Sequence, residues 1–312
     1  IKISPKKISK CFFTDNGSSA IDAAMKMSFH YWINKGYKKK KKFIALSNSY
    51  HGETLGSLSV SNIDLYKKTY KSLMKETIIV PSPDSYLRKS KDTEKQHAEL
   101  MFDHMLRAIK KNHNETCAVI IEPLVQCAGY MRMYHPVYLK LLRQACDKYN
   151  IHLIADEIAV GFGRTGTMFA YEQSKITPDI ICLSKALTGG FLPLGLTVVS
   201  QKIFDGFYSD EPKHTFLHGH SYTGSPLCCA AANASLQLMS KDSFWRNVKS
   251  LSKRMSYNVQ KIKQLNGVRN ARSIGLVGAV EIDSGGKSSY FNKSGKAIYK
   301  KLLNKGLILR PL

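Results

Sequence analysis

Residues 151–157 read IHLIADE, and two further runs repeat the pattern, CAVIIEP at 117–123 and DIICLSK at 179–185. Each is a short apolar run with little polar alternation, closed by an ionisable side chain. Strands wetted on one face alternate in polarity, whereas strands covered on both faces do not. The three runs therefore predict parallel strands at the centre of an α/β sheet, each followed after a short gap by helix or loop signals. They end on Glu122, Asp156 and Lys185, and the carboxyl ends of strands line the ligand crevice of an open parallel sheet. Three ionisable groups are thus expected to converge on one site. A lysine at the end of a buried strand gives up hydration, so it needs a partner or a chemical use.

The chain has 312 residues, of which 43% are hydrophobic and 10% aromatic, enough for one large core or two domains. Its longest apolar runs are strand-length, too short to span a bilayer. The start, IKISPKKISKCFF, is basic but has neither a long apolar core nor a small-residue cleavage site, so no secretory signal is read there and the cytoplasm is the default. Seven scattered cysteines form no C-x-x-C and leave one unmatched, which argues against a disulfide framework and against a metal site. The formal charge of +24 comes mostly from Lys spread along the whole chain, and the one dense block, KGYKKKKK at 35–42, reads as a solvated loop between a helix and a strand. No nucleic-acid partner is expected. The chain starts without Met and stops at GLILRPL as another strand ends, so it reads as a piece of a longer protein.

Near the start, CFFTDNGSSAIDAAMKMSFHYW passes from a strand through a turn into a helix whose apolar face includes Ile21, Met25 and Trp32. Gly17 and Ser18 open that helix, where free N–H groups, the dipole and a hydroxyl make a phosphate site; the same residues also suit an ordinary turn and N-cap. A phosphate cradle, a strand-end acid and a strand-end lysine together suit pyridoxal 5′-phosphate. The phosphate anchors it, the acid keeps the ring nitrogen protonated and the lysine holds the aldehyde as a Schiff base. Asp156 is expected to stay ionised, and a desolvated Lys185 to lose its proton more readily.

The blocks FTDNGSSAIDAAMKM, SYHGET, IIEPLVQCAGYMRMYHP, IADEIAVGFGRTG, LSKALTGGFLPL, HGHSYTGSPLCCAAANASL and LILRP resemble, in order and over nearly the whole chain, those of a class III aminotransferase. MRMYHP, AMKM…YW and CAAANASL resemble most the branch that aminates 8-amino-7-oxononanoate in biotin biosynthesis, with S-adenosylmethionine as the expected donor and lysine as the alternative. Ornithine, 4-aminobutyrate and other ω-amino acid branches remain the alternative, as does an inactive fragment. The resemblance implies a fold-type I, pyridoxal-phosphate-dependent homodimer with small-molecule substrates, a mostly parallel central sheet flanked by helices, and sites at the subunit interface.

Residue by residue, the resemblance makes Lys185 the Schiff-base lysine and Asp156 the partner of the pyridine nitrogen. It makes Gly17 and Ser18 phosphate ligands and sets Tyr50 and Ile158 on opposite faces of the ring. Ser221 would reach the phosphate of the neighbouring subunit. Arg310 would receive the substrate carboxylate, with Glu53, Arg164 and Gly219 in the same pocket. Glu122 would support the site from behind rather than act in it. The chain departs from the family at Cys127 and Tyr130, which stand where glycines are usual, so a positive φ there would be strained; Glu53 is one methylene longer than the usual Asp. Residues 1–240 are expected to form the large cofactor domain, and 241–312 a linking helix (WRNVKSLSKRMSYNVQKI) with part of a small α/β domain, including a final strand at LILRP.

Overall fold

The computed structural model describes residues 3, 5, 8–283 and 293–311. Its strands are β1 (Ile8–Thr14), β2 (Lys42–Leu46), β3 (Ile78–Val80), β4 (Thr116–Ile121), β5 (Val125–Gln126), β6 (Arg132–Met133), β7 (His152–Asp156), β8 (Ile180–Leu183), β9 (Gly195–Ser200), β10 (Val268–Ile274) and β11 (Val277–Ile282). Its α-helices are α1 (Gly17–Asn34), α2 (Leu55–Ser59), α3 (Asp64–Lys67), α4 (Glu94–Asn112), α5 (Val137–Lys148), α6 (Gln201–Phe204), α7 (Pro226–Met239), α8 (Asp242–Lys263) and α9 (Lys293–Leu303).

The three apolar runs form β4, β7 and β8, and every residue of all three strands is buried. They lie in a seven-stranded sheet of order β1-β9-β8-β7-β4-β2-β3. β3, β2, β4, β7 and β8 run parallel; β9 is reversed against both β8 and β1. Two faces need two layers, and the period-2 alternation of β4 assigns them. Ala118 and Ile120 pack with Ile21, Ala24 and Trp32 of α1. Val119 and Ile121 pack with Phe102 and Met105 of α4 and Leu142 of α5. Each such buried aliphatic or aromatic side chain contributes about 1.5–3 kcal/mol.

Two expectations change. Within the lysine block, Lys40 is only 4% exposed: its ammonium donates to the carbonyls of His113 (3.0 Å), Thr116 (3.0 Å) and Asn150 (2.7 Å) and lies 4.4 Å from the Trp32 ring centroid. The other lysines of the block are exposed. Residues 307–311, expected as a strand, are in neither helix nor strand; among the described residues β10 and β11 pair only with each other. The expected linking helix is α8, whose Val248 and Val259 are buried. The hairpin β10–β11 leans on it and turns at Gly275, where a Cβ would sit 2.2 Å from the carbonyl carbon of Thr165.

Candidate active site

Asp156 ends β7 and is 4% exposed. Its Oδ2 lies 2.7 Å from Nδ1 of His51, and its Oδ1 accepts the N–H of Ile158 at 3.1 Å. A carboxylate only accepts, so His51 donates from Nδ1. His51 is itself buried and accepts nothing at Nε2 among the described residues; its backbone N–H donates to Ser61 Oγ at 2.9 Å. Sequence reasoning missed this histidine as a site residue. The only signal was its place in SYHGET, beside Gly52, whose φ is +132°.

Lys185 follows β8, in whose ladder Asp156 is registered against Cys182. The chain leaves the strand through an extended Ser184 and turns at Lys185 with φ +48°. A non-glycine residue in that region is strained and persists only where its surroundings over-determine it. Ser184 Oγ supplies one such constraint, donating to Leu194 O at 2.7 Å. This turn corrects the expectation of burial: the Lys185 side chain is exposed in the single chain. It borders a 330 Å³ cleft whose other lining residues include Asp15 and Asn16, just ahead of α1, and Leu192.

Helix α1 begins at Gly17, capped by Asn16, whose Oδ1 accepts the N–H of Ser19 at 2.9 Å. The first helical N–H groups, those of Gly17 and Ser18, have no intrahelical acceptor. A Cβ on Gly17 would come within 3.0 Å of Ile158 Cγ2, so the helix start and the residue two positions after Asp156 are in contact. Ser18 Oγ accepts the N–H of Glu53 at 3.2 Å, which fastens the SYHGET turn to α1. A Cβ on Gly52 would lie 2.2 Å from that hydroxyl, so glycine is required there on space as well as on φ.

Tyr50 is half-buried and donates its hydroxyl to Glu53 Oε1 at 2.8 Å. Burial, and then the Glu53 carboxylate, raise its pKa well above the usual tyrosine value, while the nearby charge of Arg310 opposes the rise. Arg310 itself is exposed, in neither helix nor strand. Glu122, at the end of β4, clips two loops together: its Oε2 accepts the N–H of Tyr50 and its Oε1 that of Cys127, both at 3.0 Å. Burial raises its pKa to about 7. Cys127 lies within electrostatic range of Glu122, Lys185, Asp156 and Arg164, and burial pushes its thiol up to about 12.

The departure from glycine has a backbone consequence. Tyr130 and Met131 have φ of +64° and +51°, two consecutive left-handed residues that cost roughly 1–2 kcal/mol each. Cys127 is not strained in this way. Gly219 and Ser221 lie in an exposed segment. The structure thus joins Asp156, Ile158, Gly17, Ser18, Tyr50 and Glu53 by hydrogen bonds and close approach near the ends of β4 and β7, sets Lys185 just after the neighbouring strand β8 and places the exposed Arg164 within electrostatic range of Cys127. It leaves Gly219 and Ser221 on the surface of the same chain.

These residues fit pyridoxal 5′-phosphate. The Asp156 carboxylate has about four acceptor sites, of which His51 and Ile158 use two, so it can take a ring N–H. The start of α1 offers free N–H donors and its positive dipole end. No group of His, Cys, Asp and Glu suited to a metal occurs among the described residues, and no described helix is long and apolar enough to cross a membrane.

The chain belongs to the class III aminotransferases: the family model Aminotransferase class-III matches residues 1–312. An adenosylmethionine-8-amino-7-oxononanoate aminotransferase of Helicobacter pylori is 43% identical over 309 residues, which cover 97% of this chain and 68% of that protein. The crystal structure of the enzyme of the same name from Methanocaldococcus jannaschii superposes with a TM-score of 0.90 at 32% identity, covering 99% of this chain and 70% of that one. An amine transaminase from an uncultivated Pseudomonas species, solved in its PLP-bound form, superposes with a TM-score of 0.88 at 29% identity, covering 98% and 70%. The protein is an aminotransferase of fold-type I, and its cofactor is pyridoxal 5′-phosphate.

Proposed function

We propose that the protein transfers an amino group to the ketone of 8-amino-7-oxononanoate, giving 7,8-diaminononanoate in biotin biosynthesis, with S-adenosylmethionine as donor. The 43% identity to the similarly named Helicobacter pylori enzyme carries this assignment. The protein would act as a cytoplasmic homodimer. Exposed Leu217, Tyr222 and Leu227 around Ser221 are an apolar set that a second copy would cover, with Ser221 serving the neighbouring subunit's phosphate.

When bound, pyridoxal 5′-phosphate supplies a protonated ring that draws electrons from the carbon losing or gaining a proton. Asp156, oriented by His51, would accept the hydrogen of the ring nitrogen. Gly17 and Ser18 hold the phosphate through N–H groups and a hydroxyl, and Tyr50 and Ile158 confine the ring. Lys185 would hold the cofactor through its Nζ and, when free, would take the proton from the donor's α-carbon. Arg310 pairs with the substrate carboxylate, with Glu53, Arg164 and Gly219 completing the pocket.

A second candidate is another class III ω-aminotransferase. It is favoured by the superposition on the ω-transaminase of Pseudomonas jessenii, TM-score 0.91 at 28% identity, together with the changed pocket at Cys127 and Tyr130. The test supplies 8-amino-7-oxononanoate with S-adenosylmethionine or with lysine, and separately simple ω-amines with pyruvate, and measures products by mass. Formation of 7,8-diaminononanoate with S-adenosylmethionine is expected. Turnover of the ω-amines alone would establish the second candidate.

A further inference from the structure

We infer that Arg272 is a positioning residue, which holds the strained Tyr130–Met131 turn and through it one side of the active site. Arg272 lies on β10, outside the central sheet, yet its Nε donates to Met131 O at 2.9 Å and its Nη2 to Tyr130 O at 2.5 Å. Its remaining nitrogen, Nη1, is fixed by Glu281 Oε1 at 2.9 Å and Asn270 Oδ1 at 3.1 Å. Glu281 is shared: Arg132, from the MRMYHP block, reaches it at 3.0 Å, reaches Asp84 at 3.5 Å and lies 3.7 Å from the Tyr86 ring centroid. Two arginines and two acids thus tie the hairpin β10–β11 to residues 130–133, the turn and the strand β6 that follows it.

The turn so held is the one the site uses. Met131 N–H donates to Cys127 O at 3.1 Å, closing residues 127–131. A Cβ on Gly129 would lie 2.4 Å from Asn48 O, so the turn presses on the chain two residues before Tyr50. Cys127 and Tyr50 then meet on Glu122. The same hairpin also supports the opposite side, since Leu276 N–H donates to Arg164 O at 2.9 Å. Left-handed Tyr130 and Met131 would relax without an external hold. A planar fork that reaches two adjacent carbonyls while anchored by a carboxylate is suited to supply it, and a lysine ammonium is not.

The proposal rests on the aminotransferase assignment only in treating the Cys127–Tyr130 turn as pocket lining. The test therefore has one arm without substrate. Amide hydrogen exchange of cofactor-loaded protein is followed in wild type, Arg272→Ala and Arg272→Lys. Exchange across 127–131 should quicken by about tenfold or more in both variants while residues 152–156 keep their protection. In Tyr130→Gly, where φ is no longer strained at that position, adding Arg272→Lys should quicken exchange less. Arg272→Lys guards against an alanine variant that does not fold. Unchanged exchange at 127–131 in Arg272→Lys overturns the proposal, as does equal quickening throughout the chain. In the second arm, Arg272→Lys should raise KM for the ketone substrate by about tenfold with kcat nearly unchanged. A loss confined to kcat would contradict a role in shaping the pocket.

Discussion

His51 and Asp156 are 105 residues apart in sequence, yet their buried side chains meet at 2.7 Å, and this contact orients the acid that ends β7. His51→Ala removes a hydrogen bond to a charged acceptor, worth about 1.5–3 kcal/mol. The expected result is a fall of roughly 10- to 150-fold in kcat/KM. Cofactor should still bind covalently to Lys185. Steady-state kinetics on cofactor-loaded protein check this, and near-normal turnover would show that Asp156 needs no orienting partner.

Arg310→Ala should remove the proposed partner of the substrate carboxylate. The expected loss with the carboxylate substrate is about 30- to 1,000-fold in kcat/KM, equivalent to roughly 2–4 kcal/mol. An analogue lacking the carboxylate should be processed nearly as well by the variant as by wild type. Equal losses with both substrates would mean that Arg310 supports the fold instead.

Glu122 gives stability a pH dependence. Burial raises its pKa from 4.5 to about 7, so the folded state holds a proton that the unfolded chain releases earlier. Its contribution is fully present below pH 4.5 and is lost as pH rises through about 7, amounting to about 3 kcal/mol at most. Glu122→Gln should flatten denaturant-derived stability between pH 5 and 7 relative to wild type. Parallel curves for the two proteins would contradict this.

Lys40→Met should destabilise the fold by about 2–3 kcal/mol, because the carbonyls of His113, Thr116 and Asn150 lose a charged donor. Lys38→Met, at an exposed position in the same block, should change stability by less than about 0.5 kcal/mol. Urea denaturation of both variants measures the difference.

What the sequence revealed and what it hid follow from the range of the interactions involved. The strands β4, β7 and β8, their terminal Glu122, Asp156 and Lys185, and the start of α1 at Gly17 were legible because apolar runs and helix caps are local patterns. His51 was not, since its role exists only when the SYHGET turn folds over β7. Lys40 was indistinguishable from its neighbours in a run of like charge until Trp32 and the carbonyls around β4 enclosed it. The exposure of Lys185 depends on a left-handed turn that no periodicity announces. The strand expected at LILRP did not form: an apolar run is a local pattern, whereas a strand needs a paired neighbour, and no described strand pairs with it.

Lys185 is the residue proposed to join the cofactor, and every other assigned role depends on it. Borohydride reduction of protein loaded with pyridoxal 5′-phosphate, followed by peptide mapping, tests it most directly. The label should appear on the peptide containing Lys185 and be absent from Lys185→Ala, which should fold normally and lose nearly all transamination. A label on any other lysine, or undiminished labelling of the variant, would contradict the assignment.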